Sequence, residues 1–167
     1  MLPGQISLVL DLKMLLLVFV ANAAPVIAQD VFGRRFSYPL DGRAMFFDAQ
    51  PLFGASKSVR GVVCSLLATT VAAPIVGLSW LVGALIGLAA MFGDLCSSFI
   101  KRRMKLRPSS MASGLDQIPE SLFPLLVCAA FLPLSAADVA IVVACFAAGE
   151  AFGSRILYRI HLRDRPY

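Results

Sequence analysis

The chain is 167 residues long, 59% hydrophobic and only 15% charged, with a mean hydropathy of +0.81. A water-soluble domain carries about 25% charged residues, so this composition excludes ordinary globular classes and points to a membrane-embedded protein. At roughly 20 apolar residues per spanning helix, the length admits about four to six spans and no large extramembrane domain. The four cysteines, Cys64, Cys96, Cys128 and Cys145, sit in apolar runs without CxxC spacing, so they read as packing residues and not as a disulfide framework or zinc site.

In chain order, the first apolar stretch covers about 6–28 despite Asp11 and Lys13. Lys13 ahead of an apolar core and the Ala-x-Ala at 21–23 also fit a cleavable leader, but the hydrophobicity of everything that follows favours a retained span. A polar loop over 29–60 leads to spans at 61–79 and 81–100, separated by Gly77, Ser79 and Trp80, the tryptophan suiting a membrane interface. A second polar loop over 101–119 precedes spans at 120–134 and 139–157, which turn around Pro133 and Asp138, and a tail covers 158–167. The expected fold is a single all-α domain: an integral membrane bundle of about five transmembrane helices with short loops.

Charge orients that bundle. Fourteen of the 15 Lys and Arg lie in the two loops and the C-terminal stretch from Arg155, which five spans place on one face. Basic residues near span ends concentrate on the cytoplasmic side, so the reading is a multi-pass protein of the cytoplasmic membrane, N-terminus outside, with its site facing the cytoplasm. The turns on the other face carry Asp138 and no base.

Topology accounts for the arginines but not for the carboxylates. Asp94 lies near the end of the third span, and a carboxylate there is costly enough to count as a functional candidate. At helical spacing Asp94, Ser97, Ser98 and Lys101 share one face. The plain alternative is a buried ion pair that staples helices. Asp116 and Glu120 precede the fourth span, so Asp94 and Asp116 end adjacent elements on one side and could hold magnesium through oxygen ligands. Magnesium with neighbouring cations is the usual apparatus of phosphate chemistry, although Asp116 could equally offset a helix N-terminus. The first loop supplies Asp41, Asp48, Gly54, Lys57 and Arg60; Lys57 and Arg60 would point the same way if that turn is helical. This suits a triphosphate cradle without being a GxxxxGK[ST] loop, and cations snorkelling at a membrane surface would look similar.

Together these pieces resemble the CDP-archaeol synthase family, relatives of the phosphatidate cytidylyltransferases. Pro39-Leu-Asp41 resembles its P-I-D. Asp48, Leu52-Phe-Gly54, Lys57, Arg60 and Gly61 resemble its D-G-x-x-I-F-G-x-x-K-T-x-R-G. Gly93-Asp94 with Ser98-Phe-Ile-Lys-Arg-Arg103, and then Leu115-Asp-Gln117, resemble the G-D-x-x-x-S-F-I-K-R-R and L-D-Q that follow. Ala49 stands where that pattern has glycine, Ser58 where it has threonine and Val59 where it has tryptophan. The 108–114 stretch also departs from the pattern, and the Pro-Ser-Ser and Asp-Gln-Ile-Pro-Glu-Ser features resemble a bacterial branch. These departures leave the nucleotide chemistry in place and the lipid acceptor open.

The resemblance implies transfer of cytidylyl from CTP to a lipid phosphate with release of pyrophosphate. It assigns magnesium to Asp94 and Asp116, catalysis to these with Lys101, and phosphate contacts to Lys101 and Arg102. It places Lys57 and Arg60 at the triphosphate. Asp41, Asp48, Ser97, Ser98 and Gln117 join the substrate set, while Asn22, Glu120 and His161 receive no defined role. No nucleic-acid partner is implied, and a homodimer is admitted. The CDP-alcohol phosphotransferases are an enzyme rival that ranks well below, because Asp41-Gly-Arg-Ala-Met-Phe lacks their D-G-x-x-A-R and the later aspartates. The remaining rival is a non-enzymatic transporter or assembly protein binding anionic headgroups.

Overall fold

A computed structural model describes residues 7–106 and 114–159, with side chains through Gly153. Arg107, the 108–113 stretch and His161 with the arginines around it lie outside the described residues. Among the described residues there are five helices: α1 (Leu8–Phe32), α2 (Val59–Ile75), α3 (Trp80–Arg103), α4 (Gln117–Ala129) and α5 (Ala136–Arg159). The fold is all-α, as the sequence predicts, and the extended pairing described is confined to two isolated bridges in the first loop.

Local chemistry sets the helix ends. Ser58 and Ser79 cap α2 and α3 by accepting the N–H of Gly61 and Leu81. Ser135 and Asp138 form a reciprocal capping box at the head of α5, the Asp138 carboxylate accepting from both the N–H and the hydroxyl of Ser135 at 2.7 Å. Gly33 and Gly77, at φ of 55° and 75°, supply the left-handed turns that follow α1 and α2.

Among the described residues, three helices are long and apolar enough to cross a membrane: α1, α3 and α5 through Gly153. The 17 residues of α2 and 13 of α4 reach roughly 26 and 20 Å at 1.5 Å per residue, less than a hydrocarbon core of about 30 Å. Both stop before the ends expected at 79 and 134. Pro74 and Gly77 close α2, and the chain turns at Ala130 and Phe131 after α4.

α1 touches each of the other four helices, α2, α3 and α4 lie side by side, and α5 closes against α4 and α1. Met14, Leu17 and Val18 of α1 meet Ile86, Leu125 and Phe146 in the core. Glycines let α3 approach its neighbours: a Cβ on Gly83 would stand 2.2 Å from the Thr69 carbonyl oxygen of α2, and one on Gly93 2.2 Å from that of Pro119 in α4. Leu67, Val71, Ile75, Leu81, Leu88 and Phe92 remain exposed, which suits a lipid-facing surface. At the end away from the basic loops, the buried side chain of Asp11 meets that of Asp138.

Candidate active site

The first loop is built around Asp41. Its carboxylate accepts the backbone N–H groups of Phe53 at 3.1 Å, Gly54 at 3.0 Å and Arg43 at 3.0 Å, which folds 42–54 back onto the loop's start. Burial pushes this carboxyl up, but the N–H donors of Gly54, Phe53 and Arg43 outweigh that effect and hold it below the ordinary carboxylate range. The loop then closes on itself where Leu40 N–H meets the Lys57 carbonyl and Val59 N–H the Tyr38 carbonyl, leaving Lys57 at the mouth of α2.

From there Lys57 reaches across to α3. Its ammonium donates to both oxygens of Asp94, at 2.5 and 2.6 Å, and both side chains are about one-fifth exposed (22% and 17%). A second cross-element pair lies two turns along α3, where Lys101 meets Asp116 at 2.7 Å. Asp116 occupies the N-cap position of α4 without capping it through its side chain, so its charge is directed to Lys101. Arg102 is buried beside Gly54, where an added Cβ would meet the Arg102 Cδ at an ordinary 3.7 Å, so the φ of +96° and not the space favours glycine there.

Glu120, one turn into α4, is 8% exposed and lies against the Asp94 side chain, with Lys57 and Glu150 of α5 within electrostatic reach. The sequence reading left Glu120 without a role and did not single out Glu150. The signal was present: Glu150 interrupts the apolar run of α5 just as Asp94 interrupts that of α3, and the same cost argument applies to both.

Other expected residues are held elsewhere. Lys57 and Arg60 do not point the same way, because Lys57 precedes the N-cap Ser58 and reaches Asp94 while Arg60 lies inside α2. Arg60 donates to the carbonyls of Gly33 at 3.0 Å and Arg35 at 2.5 Å, tying the loop's start to α2. Asp48 accepts Gln50 N–H and pairs at 2.9 Å with Arg103, which also lies over the Phe46 and Phe99 rings. Ser97 is buried and donates to the Asp94 carbonyl, Ser98 is buried beside it, and Gln117 accepts the N–H of Gly114. Asn22 donates to the Val18 carbonyl within α1. An apolar recess of about 290 Å³, lined by Phe53, Phe92, Leu95, Cys96, Phe99 and Ile100, lies on the opposite side of α3 from Asp94 and Lys101 at 3.6 residues per turn, so it does not extend this cluster.

The donor set suits a hard cation. Asp94 already gives both oxygens to one cation with a second carboxyl, Glu120, in contact, and Asp116 is one turn before Glu120 on the same helix. Among the described residues no three His, Cys, Asp or Glu side chains converge into a self-sufficient cage. Magnesium rarely needs one, since it takes one or two carboxylates and completes its shell with water and substrate phosphates.

The site therefore gathers a basic loop, a run of cations at the end of α3 and carboxylates from α3 and α4. Residues 75–167 match the CarS-like family, described as CDP-archaeol synthase. The CDP-archaeol synthase of Thermofilum pendens is 30% identical over 146 residues, covering 84% of this chain and 71% of that protein. The chain belongs to the CDP-archaeol synthase family. The Methanococcus aeolicus member is 34% identical over 135 residues, covering 70% of this chain and 72% of that one. The Sulfolobus acidocaldarius member is 31% identical over 135 residues, covering 77% and 83%. A solved intramembrane enzyme for archaeal membrane lipid biosynthesis superposes with a TM-score of 0.75 at 24% identity, covering 86% of this chain and 91% of that one, and shows the shared fold. This family member is thus a multi-span membrane protein.

Proposed function

We propose that this chain is a membrane cytidylyltransferase that transfers CMP from CTP to a lipid phosphate, forming a CDP-activated lipid and pyrophosphate. Membership of the CDP-archaeol synthase family supports the activity. The observation that carries the site is the pair of lysine–carboxylate contacts, Lys57–Asp94 and Lys101–Asp116, which gather the first loop, α3 and the head of α4 into one charged cluster.

The chemistry asks little covalent work of the protein. A lipid phosphate oxygen attacks the α-phosphorus of CTP, the bond from that phosphorus to the oxygen bridging to the β-phosphate breaks, and pyrophosphate leaves. Two anions must be brought together in line, so the barrier falls mainly by positioning and by preset opposite charge. Lys101 and Arg102 at the end of α3 contact phosphate oxygens, and Lys57 serves the triphosphate. Arg60 orders the loop through the Gly33 and Arg35 carbonyls and is removed from the nucleotide set. Asp94 and Asp116 would hold magnesium, whose charge would offset that of the triphosphate. The acceptor is a glycerol-based lipid phosphate whose chains are ether- or ester-linked.

The test uses purified full-length protein in nanodiscs with radiolabelled CTP and either a diether or a diester glycerol phosphate. Label should enter lipid, with matching pyrophosphate, only when magnesium and an acceptor are both present. Asp94→Asn keeps the side-chain shape but not the charge and should lower turnover about 10²- to 10³-fold. No labelled lipid with either acceptor would sink the reading.

A further inference from the structure

Lys57 is bound to the same carboxylate that the proposed chemistry gives to a metal. Its ammonium takes both oxygens of Asp94, and Glu120 abuts Asp94 with Lys57 in reach. A divalent ion ligated by Asp94 would compete with that two-pronged ammonium contact for the same oxygens, and the two cations, a few ångströms apart, would repel. Removing Lys57 with nothing in its place would leave two carboxyl groups in contact and short of positive charge, which is costly in a half-buried site. The arrival of a metal therefore favours release of the lysine from Asp94.

The fold permits that exchange. The Lys57 backbone is anchored, its N–H to the Gly54 carbonyl at 3.1 Å and its carbonyl to the Leu40 N–H at 2.8 Å. The four-carbon stem beyond is flexible, and the side chain keeps 22% exposure. It can swing outward without disturbing the loop.

We propose that Lys57 and a divalent metal are alternative cations for Asp94, and that the nucleotide selects the metal by drawing Lys57 onto its phosphates. The inference rests on the cytidylyltransferase reading. Its consequence is linkage: nucleotide and metal each favour the other's binding, and much of that coupling passes through Lys57.

Manganese binding to the full-length protein, followed by electron paramagnetic resonance, tests this without turnover, with α,β-methylene-CTP as the unreactive nucleotide. The wild type should bind Mn²⁺ weakly alone and about tenfold or more tightly with the nucleotide, within the usual range of coupling between sites. Lys57→Met should bind Mn²⁺ without nucleotide about tenfold more tightly than wild type, and adding the nucleotide should then gain clearly less than in the wild type, the remainder coming from direct ligation by the phosphates. Adding Asp94→Asn should erase the nucleotide-free gain; a retained gain would place the ion elsewhere and overturn the proposal. A folded Lys57→Met protein that binds Mn²⁺ no better than wild type would overturn it too. If Lys57→Met does not fold, the wild type decides: saturating Mn²⁺ should accelerate acylation of the Lys57 amine, read by mass spectrometry, and an unchanged rate defeats the exchange. Wild-type turnover without these binding effects would remove only this inference, whereas absence of any CDP-lipid product would remove the enzymatic reading.

Discussion

Ala49 has a φ of 58°, a left-handed backbone that strains an L-residue with a Cβ by about 1–2 kcal/mol. It closes a tight turn in which its own N–H meets the Phe46 carbonyl and Phe46 N–H meets the Gln50 carbonyl. The resemblance expects glycine at this position, and the backbone explains why. Ala49→Gly should relieve more strain than the added freedom of the unfolded chain costs, a net gain of roughly 0.5–1 kcal/mol. That corresponds to a melting temperature higher by about 1–4 °C, and an unchanged or lower value would show that the turn is not strained. Asp41 gives a pH signature in the same loop. Its folded carboxyl lies below the ordinary range, so its stabilisation is fully present above the unfolded value near 4 and is lost as pH falls through the folded value. Protease nicking of the 42–54 segment should therefore rise on acidification below about pH 4 in the wild type. Asp41→Asn should nick faster at neutral pH and lose that acid-dependent step; an identical pH profile in the two proteins would dismiss Asp41 as the loop's organiser.

At the scale of helices, the site depends on how closely α3 meets α4. A Cβ on Gly93 would lie 2.2 Å from the Pro119 carbonyl oxygen and 2.9 Å from the Glu120 nitrogen, both backbone atoms that cannot rotate away. Gly93→Ala must push α4 outward, carrying Asp116 and Glu120 away from Lys101 and Asp94. Overpacking of this kind costs about 1–3 kcal/mol, and turnover should fall further than the lowered melting temperature explains. Gly153→Ala on α5 is the control, since a Cβ there meets nothing within 4 Å: turnover should stay near wild type and the melting temperature should hold or rise by a few degrees. Equal behaviour of the two variants would mean that the α3–α4 crossing does not set the site.

At the scale of the molecule, charge asymmetry is the main guide to orientation. The first loop, the end of α3 and the carboxylates at the head of α4 gather at one end of the bundle, and the opposite turn carries Asp138. We propose that the basic end faces the cytoplasm, where a soluble nucleotide meets the headgroup of a membrane lipid. Reporter fusions after Gly54 and after Lys105 should report cytoplasmic, and one after Pro133 should report the other side. A cytoplasmic signal at Pro133 with external signals at the other two would invert the arrangement.

Some of this protein is legible in its residues one segment at a time. The all-α class follows from five apolar stretches, because hydropathy is a local property, and Asp94 stands out because a carboxylate in an apolar run is costly wherever the helix packs. Partner choice is not local. Asp94 and Lys101 share a face of α3, yet they are two turns, about 10 Å, apart along the axis, and each instead pairs with a residue from another element. Asp94 takes Lys57, 37 positions earlier in the chain, because the Asp41 carboxylate and the loop's bridges return the chain to the mouth of α2. Arg60 turns to the Gly33 and Arg35 carbonyls for the same reason, and Glu120 reaches Asp94 because Gly93 lets α4 lie against α3. Short-range pattern determined which segments are helical and which side chains are expensive; only the packing of those helices decided which charges meet, since an ion pair depends on distance in space and not on spacing along the chain.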